Sequence, residues 1–149
     1  MTDALSPTDD AVRLLLSRVA TIAVVGYSAK PSRPSHTVSS FLSDLGYRVI
    51  PVNPGLAGQV FLGEVVQPSL AEINTPIDMV DVFRQSQVVP EIVDEMLQMF
   101  PRPSVLWTQL GVRHDAAADT ARAAGLTVVQ DRCPRIEIPR LFPADWRRA

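Results

Sequence analysis

Residues 21–42 read TIAVVGYSAKPSRPSHTVSSFL, and the fold turns on them. A short apolar run, TIAVV, ends at Gly26 and suits a strand buried on both faces. Beyond the loop, Val38, Phe41, Leu42 and Leu45 recur at helical spacing. Ser35 is placed to cap that helix, and Gly46 to end it in the left-handed conformation. Working outward, SPTDDAVRLLLSRV reads as an amphipathic helix over about 6–19, with Val12, Leu15, Leu16 and Val19 on one face. YRVIPV reads as a second strand ending at Asn53-Pro54-Gly55, GEVV as a short third strand, and SLAEI as a short helix. DMVDVF is strand-like, and SQVVPEIVDEMLQMF carries a helical stripe of Val89, Ile92, Val93, Met96, Leu97 and Phe100. SVLWT gives another strand, Asp115 is placed to cap an alanine-rich helix ending at Gly125, and LTVVQ supplies a last strand. The proline-broken tail, CPRIEIPRLFPADWRRA, is expected to lie over the surface, anchored by Ile136, Ile138 and Leu141.

Strands alternating with helices imply parallel pairing through right-handed crossovers. The fold class is therefore α/β, a doubly wound, mostly parallel sheet of about six strands with helices on both faces. The chain of 149 residues is well short of the roughly 250 typical of an eight-fold barrel and fits a single domain. A net charge of −2 gives no long-range attraction to nucleic acid or to an acidic membrane, so basic residues matter locally if at all. No apolar run approaches the roughly 18 to 20 residues that span a bilayer, and the polar, acidic start does not read as a secretory signal. The single cysteine, Cys133, forms no internal disulfide and fits a cytoplasmic setting. Whether the chain forms a homo-oligomer or meets another protein stays open, because the first helix and the Trp146 tail suit either covering the sheet or facing a second subunit.

In an open α/β sheet, ligands bind outside the carboxyl ends of the strands, where strand order reverses. That rule selects the loops starting at Gly26, Asn53, Phe83 and Thr108. A dinucleotide fingerprint, G-x-G-x-x-G, is missing from the first loop, which keeps only Gly26 for the tight turn. Pro31 and Pro34 donate no amide hydrogen bonds, leaving Ser28, Ser32, Arg33 and the helix-start amides of Ser35, His36 and Thr37 for a pyrophosphate. Lys30 and Arg33 add positive charge suited to a ligand richer in phosphate than a plain dinucleotide. The bland alternative is a solvated basic turn. After the second strand, PVNPG holds no carboxylate for a ribose, which argues against NAD, although Asn53-Pro54-Gly55 also reads as a simple turn. Phe83 beside Arg84 would line a groove for a base or an acyl-carrier arm, or else serve as core and surface, with Ser86 a candidate cap. Gln109 offers an amide, and Gly111 permits close backbone approach.

These blocks, IAVVGYSAKPSRPSHTVSSFL, GYRVIPVNP, SLAEI, VDVFRQSQVVPEIVDE, WTQLGV and DRCPRIEIPRL, follow the order seen in the small, stand-alone CoA-binding proteins. Those proteins resemble the N-terminal CoA-binding domain of succinyl-CoA synthetase alpha subunits and of ADP-forming acyl-CoA synthetases. From about Leu14 to Leu141 the resemblance implies a Rossmann-like fold over residues 1–149 that binds coenzyme A or acyl-CoA, with a surface tail from about 133 to 149. It places Gly26, Tyr27, Ser28, Lys30, Arg33 and Ser35 around the phosphates, and Asn53 and Pro54 near the adenosine. Phe83 and Arg84 fall along the pantetheine arm, with Gln109, Gly111 and Val112 near its far end. The synthetases have a glycine-rich first loop, and a lysine where this chain has Leu56, so Arg33 is the cation expected at the 3′-phosphate.

The synthetases act through a phosphohistidine in a separate domain, for which this chain has no room. His36 and His114 fall at helix starts and read as surface residues, and no metal-ligand spacing, nucleophile elbow or Walker loop is present. Asp78 and Asp81 point to opposite faces of a strand and make a poor acid–base pair. The expectation is binding without catalysis and without a metal. Two other classes stay open: an NAD(P)-binding or redox-sensing protein, and a structural subunit that uses the groove for a protein partner. Cys133, between Arg132 and Pro134, is open to a mixed disulfide with a ligand thiol as well as to the ordinary role of a small inert hydrophobe.

Overall fold

The computed structural model describes residues 5–148. In chain order its elements are α1 (Asp9–Arg18), β1 (Thr21–Val25), α2 (Pro34–Asp44), β2 (Arg48–Val52), β3 (Val60–Phe61), β4 (Glu64–Val65), β5 (Met79–Val82), α3 (Val89–Gln98), β6 (Val105–Thr108), α4 (Asp115–Ala123), β7 (Thr127–Val129) and α5 (Pro134–Leu141). Five strands form one parallel sheet in the order β2-β1-β5-β6-β7. The chain steps from β1 to β2 on one side and returns to β5 on the other, so the order reverses between β1 and β5. This is the Rossmann-like arrangement expected of the alternating pattern.

Side chains on a strand alternate between faces, and β1 shows the consequence. Ile22 and Val24 join the core under α1, α2 and α5, whereas Ala23 and Val25 join the core under α3 and α4. Both cores are closed, which is why the run TIAVV is apolar throughout. On the first face Trp107, buried completely, fills the centre and donates through Nε1 to the Arg132 carbonyl at 2.8 Å. Pro51 is tolerated because β2 is the edge strand of this sheet.

The sheet has five strands where about six were expected, because GEVV does not join it. Leu62 (φ 56°) and Gly63 (φ 73°) form a two-residue turn that folds Glu64–Val65 back on Val60–Phe61 as an antiparallel ribbon. The ribbon and two short 3-10 turns, Pro54–Leu56 and Leu70–Glu72, carry the crossover from β2 to β5 without an α-helix.

Other expectations shift at element ends. The first helix begins at Asp9, capped by Thr8 Oγ1, which accepts from the Ala11 amide at 3.2 Å. Phe100 is not part of the α3 stripe: the helix ends at Gln98, and Phe100 is fully exposed ahead of Pro101, which disfavours helical backbone in the residue before it. Ser86 caps nothing; its Oγ accepts from the Arg113 amide at 2.9 Å. The tail contains a helix, α5, because Pro134 sits at its first position, where the missing amide costs nothing, and Pro139 falls late on its exposed side. Ile138 and Leu141 anchor α5, whereas Ile136 stays exposed. Trp146 stacks on Phe142, with ring centres 4.1 Å apart, and lies near Tyr47, so it covers this chain's own core.

Gly46 ends α2 at φ 104°, as expected, and the Tyr47 amide reaches back to the Leu42 carbonyl at 3.2 Å. Among the described residues no helix is long and apolar enough to cross a membrane.

Candidate functional site

The carboxyl ends of β1, β5 and β6 open into one cleft of about 540 Å³ at the reversal point. Gly26 forms its floor at φ 90°. A β-carbon there would stand 2.7 Å from the Phe83 carbonyl oxygen and 3.1 Å from the Arg84 Cδ. The turn therefore needs glycine twice over, for its backbone conformation and for the closeness of the β5 loop. The Gly26 and Tyr27 amides both donate to the Val52 carbonyl, at 3.1 and 3.3 Å, and the Phe83 amide donates to the Val25 carbonyl at 2.8 Å. Three strand ends are thus held in fixed relation.

Loop 27–35 is built from its own polar groups. Ser28 donates its amide to Ser35 Oγ at 3.0 Å, and Ser28 Oγ accepts from the Lys30 amide at 3.2 Å. Ser35 is therefore not the cap of α2. Arg33 holds the cap position without a side-chain bond, and Pro34 opens the helix. The His36 and Thr37 amides are spent on the Arg33 carbonyl, at 3.1 and 3.2 Å. Of the three helix-start amides singled out from the sequence, Ser35 alone has no partner among the described residues. An uncapped helix start attracts negative charge.

Charge around the cleft is one-sided. Lys30, Arg33 and Arg84 line it, all exposed, and none has an ion-pair partner among the described residues. No carboxylate among the described residues lines it. Tyr27, in contrast, lends the cleft little of its side chain. Its ring is buried against Phe61 and His36, with centres 5.5 and 5.9 Å away.

Asn53 turns out to be structural. Its Nδ2 donates to the Tyr27 carbonyl at 2.7 Å and its Oδ1 accepts from the Gly55 amide at 2.7 Å, so both ends of the side chain are committed to the protein. At the opposite side, Gln109 is buried with its Oε1 lacking a hydrogen-bond partner among the described residues. Gly111 (φ 81°) donates its amide to Asp131 Oδ1 at 2.7 Å, and the Val112 carbonyl accepts from Thr108 Oγ1 at 2.7 Å.

Of the residues that the resemblance placed on the ligand, all line this cleft except Pro54, whereas Ser32, His36 and Thr37, offered for a pyrophosphate, do not line it. Pro54 lines an adjoining hollow of about 420 Å³ that shares Gly26, Asn53, Phe83 and Arg84 with it. Sequence reasoning missed Gln85 and Leu110 in the cleft, and Ser69, Glu91 and Glu95 in the hollow. Leu110 was within reach, lying between two chosen neighbours. Glu91 and Glu95 are four residues apart on α3, a spacing that marks one helix face without saying what it faces.

The remaining candidates lie apart from the cleft. His114, not Asp115, caps α4, with Nδ1 accepting from the Ala117 amide at 3.0 Å; Asp115 pairs with Arg113 at 2.9 Å. Asp78 accepts from the Ala20 and Thr21 amides, both at 2.9 Å. Asp81 is fully buried between Val24 and Trp107 in the register, both carboxyl oxygens without a partner among the described residues. Burial pushes its pKa well above the usual carboxylate range. Cys133 is buried at the start of α5. No metal-sized group of three His, Cys, Asp or Glu side chains occurs among the described residues.

The sequence profile of a family described as a CoA binding domain matches residues 20–139. The uncharacterized protein YneT of Bacillus subtilis (strain 168) is 38% identical over 131 residues, covering 88% of this chain and 94% of that protein. A protein from Thermus thermophilus, known as cell-free ID.343, superposes with a TM-score of 0.86 at 40% identity, covering 91% of this chain and 100% of that one. A hypothetical protein from Pyrococcus horikoshii OT3 gives the same TM-score at 34% identity, over 95% of this chain and 96% of its own.

Proposed function

The chain belongs to the CoA-binding domain family, and from that premise we propose that it binds coenzyme A or acyl-CoA without transforming it. The observation that carries this reading is the cleft's charge: three unpaired cations and no carboxylate, beside an uncapped helix start. A pyrophosphate laid across Gly26 would meet the Ser35 amide and the ammonium of Lys30. Arg33 is assigned the 3′-phosphate, and the adenosine goes toward Pro54 in the adjoining hollow. Asn53 serves this ligand indirectly, by holding the loop that cradles it.

The buried Gln109 carbonyl is the second support. An unsatisfied buried acceptor is costly, and a pantetheine amide N–H passing over Phe83 toward Gly111 would satisfy it. Among the described residues no carboxylate or imidazole lines the cleft to move a proton, which favours a binding role.

Thermal unfolding with added nucleotides tests the reading. CoA at about a hundredfold excess over Kd is expected to add ~2.7 kcal/mol to stability, with NAD giving little change. Stabilisation by NAD with none by CoA would replace this function with a redox-nucleotide one, and no response to either would favour the protein-partner role. Mass spectrometry of gently purified protein should detect a CoA species travelling with it.

A further inference from the structure

A second hollow of about 560 Å³ lies beside the cleft and shares Pro34, Gln109 and Leu110 with it. Its wall is mostly apolar. Val38 and Cys133 form its buried part, and Leu110 and Ile136 line it while remaining 53% and 54% exposed. Exposed large hydrophobic side chains are unremarkable singly, but here two line one concavity beside the cleft, with Ser32, Thr37 and Arg135 completing its wall. Gln109, whose buried carbonyl lacks a partner, stands between the two spaces.

We propose that this second hollow receives the acyl chain of a thioester, so that the ligand is an acyl-CoA with a chain of several carbons and not the free thiol. The inference rests on the CoA reading above. With the pantetheine arm ending near Gln109 and Gly111, whatever its sulfur carries is delivered beside Leu110, at the mouth of the hollow. A free thiol leaves the Leu110–Ile136 surface wet, whereas an alkyl chain covers it and gains the hydrophobic free energy of each methylene buried. Continuity with the cleft through shared residues is what selects an acyl chain over a separate protein segment.

The test is a calorimetric series of CoA, acetyl-, butyryl-, hexanoyl- and octanoyl-CoA on the intact protein. Affinity should rise by roughly two- to fourfold per methylene while the chain is entering the hollow, then level off. Ile136→Asp, at an exposed position of α5 outside the cleft, should keep the CoA affinity and lose the chain-length gain. Ile136→Trp, which fills the hollow, should shift the plateau to shorter chains. Equal affinities for CoA and all its thioesters overturn the proposal while leaving CoA binding intact. So does a chain-length gain that survives both substitutions, or a flat series accompanied by dimerisation that Ile136→Asp abolishes. If neither CoA nor any thioester binds, this proposal and the function it rests on fall together.

Discussion

The Asn53 side chain donates to the Tyr27 carbonyl at 2.7 Å and so bolts the loop after β2 to the loop after β1. Asn53→Ala should leave that part-buried carbonyl unsatisfied and free the Gly55 amide. The expected loss is about 1–2 kcal/mol, or a Tm lower by about 3–6 °C. CoA should also bind several-fold more weakly, even though the amide touches only protein. Asn53→Asp, which keeps the acceptor for Gly55 and loses the donor to Tyr27, separates the two bonds in the same urea and calorimetric measurements.

Gly26→Ala should be the most damaging single methyl group in the chain. Both the positive φ and the 2.7 Å approach to the Phe83 oxygen oppose it. A loss of about 2–4 kcal/mol in urea unfolding is expected. Gly111→Ala has an unfavourable φ but open space around it, so it should cost less, about 1–2 kcal/mol. Equal losses at the two positions would show that crowding against the β5 loop contributes nothing.

Arg33→Ala should weaken CoA by about tenfold, the usual scale for a charge-assisted hydrogen bond, and dephospho-CoA far less. An equal loss for both ligands would move the 3′-phosphate to another cation, with Arg84 next in line.

Asp81 should make stability fall as pH rises. Burial raises its folded pKa above the unfolded value of about 3.9. Below that value both states hold the proton, and the stabilisation is complete. Above it the unfolded chain releases the proton while the folded one retains it, so stability is lost until the folded pKa is passed. Asp81→Asn cannot ionise, and its stability relative to wild type should therefore increase as pH rises above about 4 in urea titrations. Parallel pH curves for the two proteins would show that Asp81 is ionised in the folded state.

Much of the architecture was legible because β1, β2, β5, β6 and β7 are short apolar runs separated by helical spacing. The positions of Gly26 and Phe83 at strand ends followed from that alternation and from the rule for open sheets. What was not legible depended on partners distant in sequence or on competition between adjacent caps. Ser35 and Asp115 are good capping residues by type, yet Arg33 and His114 occupy the cap positions, because Pro34 starts α2 two residues early and His114 offers its own acceptor. Phe100 fits the helical period of α3 and lies outside it. GEVV has strand composition, and only the Leu62-Gly63 turn tells it to pair locally. Asp81 gave no sign of its burial, since an acid among Met79, Val80 and Val82 looks like the polar half of an alternating strand until both faces are seen to be covered.

The missing helix between β2 and β5 has its own effect on the molecule's shape. A ribbon and two narrow turns occupy less width than a full helical cylinder of about 10 Å. Pro68, Ser69 and Leu70 on one side and Glu91 and Glu95 of α3 on the other line the hollow beside the cleft. The space beside the cleft thus arises by subtraction from the usual fold. Lengthening the Leu70–Glu72 turn into a regular helix should fill that hollow, whose wall includes Leu70.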